Sequence, residues 1–541
     1  MQQLQVATHR NGATRTTVEN RFEIACFGIA CFVGVVGAFV GLEAHGFWFD
    51  ELITAWIVEP VGGVGNLISR IATDVHPPLY YAVLFVYSKI AGDSDAALRS
   101  FSALSVCAAV LIFIAATKGT FSLPARLFGG AIASGSLFWF IQSQNARPYA
   151  LCLLVSAGIL ALCLSLLAER QKHDTRLPPT LVGLIVLMVV GSFVHFYIMY
   201  ECLAALIVLA LFNRRQRYAM VGVAAVLLIS AALYVKFVIV PFSQVSLESN
   251  WYRNDPDWYY RVLESCVQYS FGTAGSLALA ICAGVFVFYR WIARSLPPRS
   301  SLGSFPLDPV TALLVGVPFL VLIGGIVGST LFAPNFFDRN FLVVSPFLWG
   351  FSARLYDAAM AGAPRPIRLA INLALSAVVL SMALIVTERL PSKRPPLLYE
   401  PFRESADWIR TVPECRDQIV PVITADRSAW YKPGYAEVLY ASAYGRYLHG
   451  FALAQLIFAE EIVAHRLPTD LRAELQQRLD GGGCSILAWS VHNMSVEAIA
   501  VIKDELLRSM DRPVAETAVK TKVFRDGQVG FVLYLDHKLG R

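Results

Sequence analysis

Ionisable side chains recur in this sequence at places where membrane helices would reach the surface. The first are Asp50 and Glu51, an adjacent acidic pair framed by aromatic residues in GFWFDELITAW, residues 46–56. A carboxylate such as Asp50 can take the proton from an attacking hydroxyl group, so we predict that this pair is catalytic. Asp50 with Glu51 or His76 could also hold a divalent cation, although no spacing typical of metal ligands commits the site to one.

Later side chains are candidates for binding a phosphate group. Arginine suits phosphate because its planar guanidinium group donates parallel hydrogen bonds. Positioned cations also stabilise a phosphate that departs in a transfer reaction. The candidates, with the preferred two first, are Arg339, Arg147, His76 and Lys236.

Each of these residues also has an ordinary structural interpretation. An acidic pair at a helix end is often simply solvated, and aromatic residues collect at any membrane interface. Lys236 and Arg147 could extend along their aliphatic stems towards lipid headgroups, Arg339 could pair with Asp338, and His195 could be an ordinary core histidine. These interpretations become strained when the residues are taken together, because several ionisable groups lie at the same end of different membrane spans.

The composition places these residues in a membrane protein. Of the 541 residues, 56% are hydrophobic and 16% charged, which excludes an ordinary soluble enzyme. The net charge of +6 does not indicate a nucleic-acid partner, because the basic residues are spread over many loops. Apolar runs long enough to cross a hydrocarbon core of about 30 Å recur along the first two thirds of the chain. They predict about eleven transmembrane helices: 23–43, 97–116, 125–141, 149–168, 179–195, 198–212, 218–240, 274–293, 309–332, 340–353 and 369–388.

The distribution of basic residues predicts the orientation. With residues 1–22 as a cytoplasmic tail, about 17 Lys and Arg residues fall in loops on the cytoplasmic side and about 7 in the opposite loops of the membrane region, 23–390. We therefore expect a multi-pass protein of the cytoplasmic (inner) membrane, with the candidate site on the extracytoplasmic face. The first apolar run is too long for a cleaved signal peptide and is expected to stay as an anchor.

One apolar segment, HPPLYYAVLFVYSKIAG at 76–92, disturbs this count. It is apolar but only about 16 residues long, and it opens with two prolines, so we interpret it as a helix lying in the outer interface. A true membrane crossing is the alternative, and it would reverse the orientation of every later loop.

Residues 391–541 are predicted to form a separate extracytoplasmic α/β domain. DQIVPVIT and CSILAWSV are typical of buried strands, SVEAIAVIKDELLRSM of an amphipathic helix, and VKTKVFRDGQVGFVLYLDH of a hairpin turning at Asp526–Gly527. Cys415 and Cys484 are the cysteines of this domain, and in an oxidising compartment the two could form a disulfide.

Six motifs follow one another along the chain: FWFDE, HPPLYY, ALRSFSAL, QNARPYAL, VHFY and DRNFLVVSP. This order resembles that of the bacterial GT-C glycosyltransferases. The similarity is greatest to the branch of protein O-mannosyltransferases and aminoarabinose-transferase-like enzymes, which use polyprenyl-phosphate sugars. It covers roughly residues 20–390. Related enzymes often have a lysine before the proline pair, where this chain has Val75 and His76. The motifs also contain four residues that we expect to bind substrate: Tyr80, Arg99, Tyr149 and His195.

The resemblance implies a polytopic helical enzyme that moves a sugar from a polyprenyl-phosphate donor to a hydroxyl group. Transfer by a single displacement, with Asp50 as the base, would invert the anomeric centre. The expected partners are the lipid bilayer, the lipid-linked donor, and an envelope glycan, a glycolipid or a protein hydroxyl as acceptor. A transporter or flippase is the alternative, since it would also bury charges in a helical bundle.

Overall fold

A computed structural model describes most of the membrane region and shorter pieces of the C-terminal region. The membrane-region segments are 18–72, 74, 76–169, 178–212, 217–234, 236, 256–295, 308–331 and 335–390. The C-terminal segments are 400–412, 418–423, 445–447, 452–453, 457–458, 469, 472–473, 477, 486–490, 496–509, 519–523 and 529–533. Most of the predicted N-terminal tail lies outside the described residues, as do Cys415, Cys484 and the predicted Asp526–Gly527 turn.

The described part of the membrane region consists mainly of helices. They are α1 Val18–Gly37, α2 Phe49–Ile57, α3 Gly63–Ile71, α4 Leu79–Ala91, α5 Asp95–Ala116, α6 Leu123–Gly135, α7 Leu137–Ser143, α8 Tyr149–Glu169, α9 Pro179–Ser192, α10 Phe196–Phe212, α11 Arg217–Tyr234, α12 Pro256–Ser270, α13 Gly272–Ser295, α14 Pro309–Leu331, α15 Asp338–Phe341, α16 Ser345–Gly362 and α17 Arg365–Glu388. Six of them are long and apolar enough to cross a membrane, namely α5, α8, α11, α13, α14 and α17.

A helix lies at each of the eleven predicted spans, but two spans are broken. The predicted 340–353 helix is divided by a 3-10 turn, Leu342–Val344, between α15 and α16. The predicted 125–141 helix divides at Ser136, whose side chain accepts a hydrogen bond from the backbone N–H of Trp139 at 3.2 Å and so starts a new helix. The segment predicted to lie in the interface is α4. Its 13 residues are about 20 Å long at 1.5 Å per residue, which is shorter than the hydrocarbon core. The number eleven stays a prediction.

The helices of the membrane region pack closely on one another and leave some apolar side chains exposed. Helix α1 packs on α6 and α17, α5 on α8, and α10 on α14. The approach of α1 to α6 needs glycine, because a Cβ added at Gly34 would lie 2.5 Å from the Cβ of Ser134. Leu111, Phe319 and Leu384 are more than half exposed, as expected for side chains that face lipid.

The described C-terminal residues contain both a sheet and a hairpin. Strand β1 Gln418–Ile423 pairs in parallel with β2 Ala452–Leu453, β3 Ile457–Phe458 and β4 Ile486–Ser490. Strands β5 Val519–Val523 and β6 Val529–Leu533 are antiparallel, and the helices here are α18 Phe402–Arg410 and α19 Val496–Ser509. The predicted strands, amphipathic helix and hairpin strands are therefore found. The domain boundary at 390/391 stays a prediction.

Candidate active site

Helix α2 carries the acidic pair in its first turn. The residue before the helix, Trp48, is extended (φ −81°, ψ 172°), and its backbone N–H donates to Glu51 Oε2 at 3.4 Å. Carboxylates in the first turn also interact favourably with the helix dipole. Successive side chains of a helix point about 100° apart. The carboxylates of Asp50 and Glu51 therefore enter different surroundings.

The Asp50 carboxylate lies between two arginines. Its Oδ2 is 3.6 Å from Nη2 of Arg147 and 3.9 Å from Nη1 of Arg339. The Asp50 side chain is 21% exposed and that of Arg339 is 33% exposed, so both can be reached from outside. These distances are longer than those of a tight ion pair. A ligand anion could therefore take over either guanidinium group.

Arg147 is held from several sides and is only 4% exposed. It lies between α7 and α8, and its Nη1 donates to the backbone carbonyl of Asp50 at 3.1 Å and to Thr54 Oγ1 at 3.2 Å. Its Nη2 is 3.5 Å from His76 Nδ1. Burial lowers the pKa of Arg147, but interactions with Asp50, Tyr81, Asp74 and Tyr149 together outweigh burial and keep the pKa above its usual value. Among the described residues its Nε has no hydrogen-bond partner, so this buried donor could bind a ligand.

His76 is oriented by a carboxylate that the sequence interpretation missed. Its Nδ1 is 3.3 Å from Asp74 Oδ1, and Tyr81 donates from its hydroxyl group to Asp74 Oδ2. Burial by itself raises the pKa of Asp74. The His76 charge, hydrogen bonds from His76 and Tyr81, and the Arg147 charge outweigh burial and hold the pKa well below its usual range. The sequence signal was DVH, an acidic residue two positions before the histidine.

His195 lies beside His76, in the link between α9 and α10. The ring centroids of the two histidines are 5.5 Å apart. The backbone N–H of Tyr197 donates to His195 Nδ1 at 3.2 Å, so the ring proton is on Nε2. Nε2 is buried and has no partner in the described part of the chain. Burial lowers the pKa of His195 well below its ordinary value, and the charges of His76 and the two site arginines lower it further.

Tyr149 completes the group around these histidines. Its ring lies 5.3 Å from that of His195, and its hydroxyl group donates to Asn340 Oδ1 at 3.4 Å. Asn340 neighbours Arg339 on α15, which connects the start of α8 to the segment that carries the second arginine. The structure thus brings together Asp50, Arg147, Arg339, His76, His195 and Tyr149.

Glu51 and Arg99 lie away from this group, in a closed ion pair. Arg99 donates from Nε to Glu51 Oε1 at 2.9 Å and from Nη2 to Oε2 at 2.6 Å. The Glu51 side chain is 1% exposed and also accepts from the backbone N–H of Ala146 at 2.8 Å. Arg99 further binds the carbonyl groups of Leu42, His45 and Gly46. In this structure Glu51 and Arg99 are therefore enclosed as partners of each other. The catalytic role expected of Glu51 and the substrate-binding role expected of Arg99 stay predictions.

Tyr80 and Lys236 are the remaining predicted site residues. Tyr80 is fully buried and packs against Tyr81 and Phe101, so the core encloses its ring. Lys236 is exposed and follows Tyr234, the last residue of α11, which lies within electrostatic range of Asp74.

The predicted cation ligands do not form a cluster. No three His, Cys, Asp or Glu side chains among the described residues come together as metal ligands. Glu51 is committed to Arg99, and the carboxylate of Asp50 faces two cations. The set of Asp50, Glu51 and His76 therefore does not fit a divalent cation.

A separate cavity of about 840 Å³ lies beside α2. It is lined by Leu52, Ala55 and Trp56 of α2, by Glu59 just after that helix, and by C-terminal residues of 403–410 and 445–447. Since Asp50 is about 200° around the helix from Leu52, this cavity is on the opposite side of α2 from the Asp50 carboxylate.

Comparisons with known proteins identify the fold. No protein-family model matches the chain, and no curated protein matches it in sequence. Solved structures do match. ArnT from Cupriavidus metallidurans bound to undecaprenyl phosphate superposes with a TM-score of 0.52 and 13% sequence identity, over 96% of this chain and 98% of ArnT. The fold is that of ArnT.

A second structure of the same protein agrees. ArnT from Cupriavidus metallidurans in the apo state has a TM-score of 0.52 and 13% identity, over 95% of this chain and 98% of ArnT. At this identity the likeness establishes the fold. The GT-C resemblance predicted from the sequence is therefore confirmed, and the six apolar helices make this a multi-pass membrane protein.

Proposed function

We propose that this protein is a membrane glycosyltransferase that moves a sugar from a polyprenyl-phosphate donor to a hydroxyl acceptor. The observation that carries the proposal is the partly exposed Asp50 carboxylate between Arg147 and Arg339. In this proposal Asp50 is the base and the two arginines bind the donor phosphate. The fold supports it, since the matching ArnT structure contains undecaprenyl phosphate. A transporter is not favoured, because the charged groups of the candidate site lie at the ends of helices, whereas transporters typically bind their substrate near the middle of the membrane.

Donor binding would change the partners of Asp50. The phosphate of the donor competes with the carboxylate for the two guanidinium groups, because both are oxyanions that accept from arginine. The Nε–H group of Arg147, which has no hydrogen-bond partner among the described residues, can also donate to the phosphate. Once the arginines turn to the phosphate, the Asp50 carboxylate is free to accept a proton from the acceptor.

The reaction is a single displacement. The acceptor oxygen forms a bond to the anomeric carbon while its proton passes to Asp50. The bond between the anomeric carbon and the phosphate oxygen breaks, and its electron pair leaves on the polyprenyl phosphate. Arg147 and Arg339 stabilise the charge that develops there. The anomeric centre is inverted, and Asp50 later returns its proton to water.

Neighbouring side chains have supporting roles in this proposal. His76, oriented by Asp74, is a further partner for the phosphate, and exposed Lys236 is a candidate at its edge. His195 keeps a neutral Nε2–H donor at physiological pH because its pKa is low, and with Tyr149 it binds the sugar. Glu51 and Arg99 hold the start of α2 in place.

The proposed location is the extracytoplasmic face of the cytoplasmic membrane. Nucleotide sugars are scarce there, so the donor must arrive on a lipid whose phosphate stays at the interface. The acceptor is an envelope glycan, a glycolipid or a protein hydroxyl group. Comparing the envelope glycans of a deletion strain with those of its parent would identify which of them carries the sugar.

The direct test is transfer by the purified protein. A polyprenyl-phosphate sugar labelled in the sugar is incubated with envelope material from the deletion strain. We expect release of polyprenyl phosphate and label in the acceptor fraction, both dependent on acceptor. Transport of intact donor across vesicles, with no transfer, would support the transporter instead.

A further inference from the structure

The segment before Asp50 is held by residues about 350–400 positions later in the chain. The backbone N–H of Phe49, the first residue of α2, donates to Glu400 Oε2 at 2.7 Å. The backbone N–H of Phe47 donates to the Tyr447 hydroxyl group, also at 2.7 Å. The approach at Gly46 is close, since a Cβ added there would lie 2.6 Å from Arg403 Cβ. We call these contacts the α2 clasp, in which Glu400 and Tyr447 accept the two hydrogen bonds.

Tyr447 connects the clasp to the start of α5. Its hydroxyl group accepts from Phe47 and donates to Asp95 Oδ2 at 2.8 Å. Burial and the Asp95 charge raise the pKa of Tyr447 above its usual value, so the hydroxyl group keeps its proton at neutral pH. Asp95 is also paired with Arg446 at 3.0 Å and with Arg403 at 3.6 Å. The clasp is therefore tied to the membrane region by a hydrogen bond and two ion pairs.

The contacts continue from the clasp to the acidic pair. The Phe47 ring is fully buried, with the guanidinium carbon of Arg446 at 4.8 Å and that of Arg99 at 5.0 Å from its centroid. Arg99 in turn holds Glu51 with two hydrogen bonds. An unbroken series of contacts thus runs from Tyr447 through Phe47 and Arg99 to the first turn of α2.

Helix α2 needs such support. It has nine residues, and a helix of that length is marginal without tertiary contacts. Its first backbone N–H groups have no intrahelical partner, and the Glu400 carboxylate satisfies one of them with a charge that suits the helix N-terminus. Asp50 is in this first turn, so a shift of the N-terminus moves the carboxylate directly.

We infer that Glu400 and Tyr447 are positioning residues for Asp50, so that the C-terminal region completes the active site. This inference rests on the proposed function. Misplacing a reacting group by about 1 Å can cost 10²-fold in rate, which makes the clasp a determinant of turnover and not of donor affinity.

The test uses the full-length protein and two measurements. Tyr447→Phe keeps the ring and removes the hydroxyl group that joins Phe47 to Asp95. Hydrogen–deuterium exchange of peptides covering 43–52 should become faster, and kcat for transfer should fall roughly 10- to 100-fold with the donor KM unchanged. Tyr218→Phe is the matched control, since Tyr218 is 87% exposed on α11, and it should change neither quantity.

A second background separates positioning from general stability. In Asp50→Asn protein, Tyr447→Phe should cause no further loss of kcat, because no base remains to be positioned. An equal loss in both backgrounds would assign Tyr447 a merely structural role and overturn the inference. If Tyr447→Phe does not fold, Glu400→Gln, which keeps a carbonyl acceptor for Phe49, should show the same pattern at smaller size.

The remaining outcomes are also decisive. Unchanged exchange over 43–52 in Tyr447→Phe would show that the clasp does not hold this segment. Faster exchange with unchanged kcat would reject positioning while leaving Asp50 as the base. Full activity of the Asp50→Asn single variant would instead overturn the assignment of Asp50 as the base, and the positioning role with it, whatever the exchange result. Absence of acceptor-dependent transfer by the wild-type protein would overturn the proposed function itself.

Discussion

The neighbouring carboxylates of Glu51 and Asp50 on α2 lie in different surroundings, one enclosed and one partly exposed. Glu51 is 1% exposed and joined to Arg99 by hydrogen bonds of 2.6 and 2.9 Å. Asp50 is 21% exposed, and its ion pairs with Arg147 and Arg339 are 3.6 and 3.9 Å long. Both acids face arginine. Only the looser arrangement leaves the arginines available to a ligand and the carboxylate available to a proton.

The two carboxylates thus differ in role, although each of them is paired with arginine. A buried pair with its hydrogen bonds satisfied holds three backbone segments together, and removing one partner leaves an uncompensated charge. The partly exposed pair of Asp50 and Arg339 contributes little to stability but can exchange partners during a reaction. Substitutions on the two sides should therefore affect different quantities.

The largest expected effect is that of Asp50→Asn on turnover. The amide keeps the shape of the side chain and cannot serve as a base, so kcat should fall by about 10²–10⁴ while donor binding survives. The measurement is transfer per folded molecule. Asp257→Asn, at an exposed position of α12, is the matched control. Near-normal transfer by well-folded Asp50→Asn protein would falsify the assignment.

Arg99→Ala should act on stability. It leaves the Glu51 carboxylate buried without its partner, and breaking such a pair costs about 3–5 kcal/mol. We expect a large fall in the thermal unfolding temperature in detergent and in the yield of folded protein. Arg365→Ala, at an exposed position of α17, should change neither. Unchanged stability of Arg99→Ala would remove the contrast between the two pairs.

Arg339→Ala should weaken donor binding and leave stability nearly unchanged. Arg339 is 33% exposed, and a hydrogen bond from a charged group is worth about 1.5–3 kcal/mol. The dissociation constant for polyprenyl phosphate should therefore rise, with Arg339→Lys between wild type and alanine because lysine keeps the charge without the fork. Equal affinity in all three proteins would argue against Arg339 as a phosphate partner.

The smallest expected effect is on the pH dependence of the free energy of unfolding. Because the pKa of His195 is lower in the folded protein, the unfolded chain binds more protons between that pKa and about 6.5. The free energy of unfolding therefore decreases as the pH falls through this window and is fully restored above it. In His195→Gln this contribution is absent, so thermal stability should depend less steeply on pH. Identical pH profiles would contradict a neutral, buried His195.

Several elements followed from local sequence alone. Apolar runs such as 149–168 predicted the helices, because burial in lipid requires an uninterrupted apolar segment with its backbone hydrogen bonds made internally. The order of FWFDE, HPPLYY and the later motifs predicted the GT-C fold. The break at Ser136 was missed, because it depends on one side-chain cap within a sequence that is apolar throughout.

The site was predicted less completely. Asp50, Arg147, Arg339, His76 and His195 come together as the motifs suggested. Asp74 and Tyr81 escaped notice because each lies one or two positions from a more conspicuous residue. Tyr80 and Tyr81 are adjacent, and only the direction of each side chain from α4 decides that Tyr81 reaches Asp74 while Tyr80 enters the core.

The sequence by itself determined the membrane setting, the helical segments and the acidic pair at the start of α2. These follow from the composition and from the spacing of residues within a few helical turns. Only the tertiary structure decided which acid meets the open arginines, since the partners of Glu51 and Asp50 are 48 and 97 residues away. The same holds for the α2 clasp. Such pairs depend on how the helices pack, and no local pattern specifies the residue that will arrive from a distant segment.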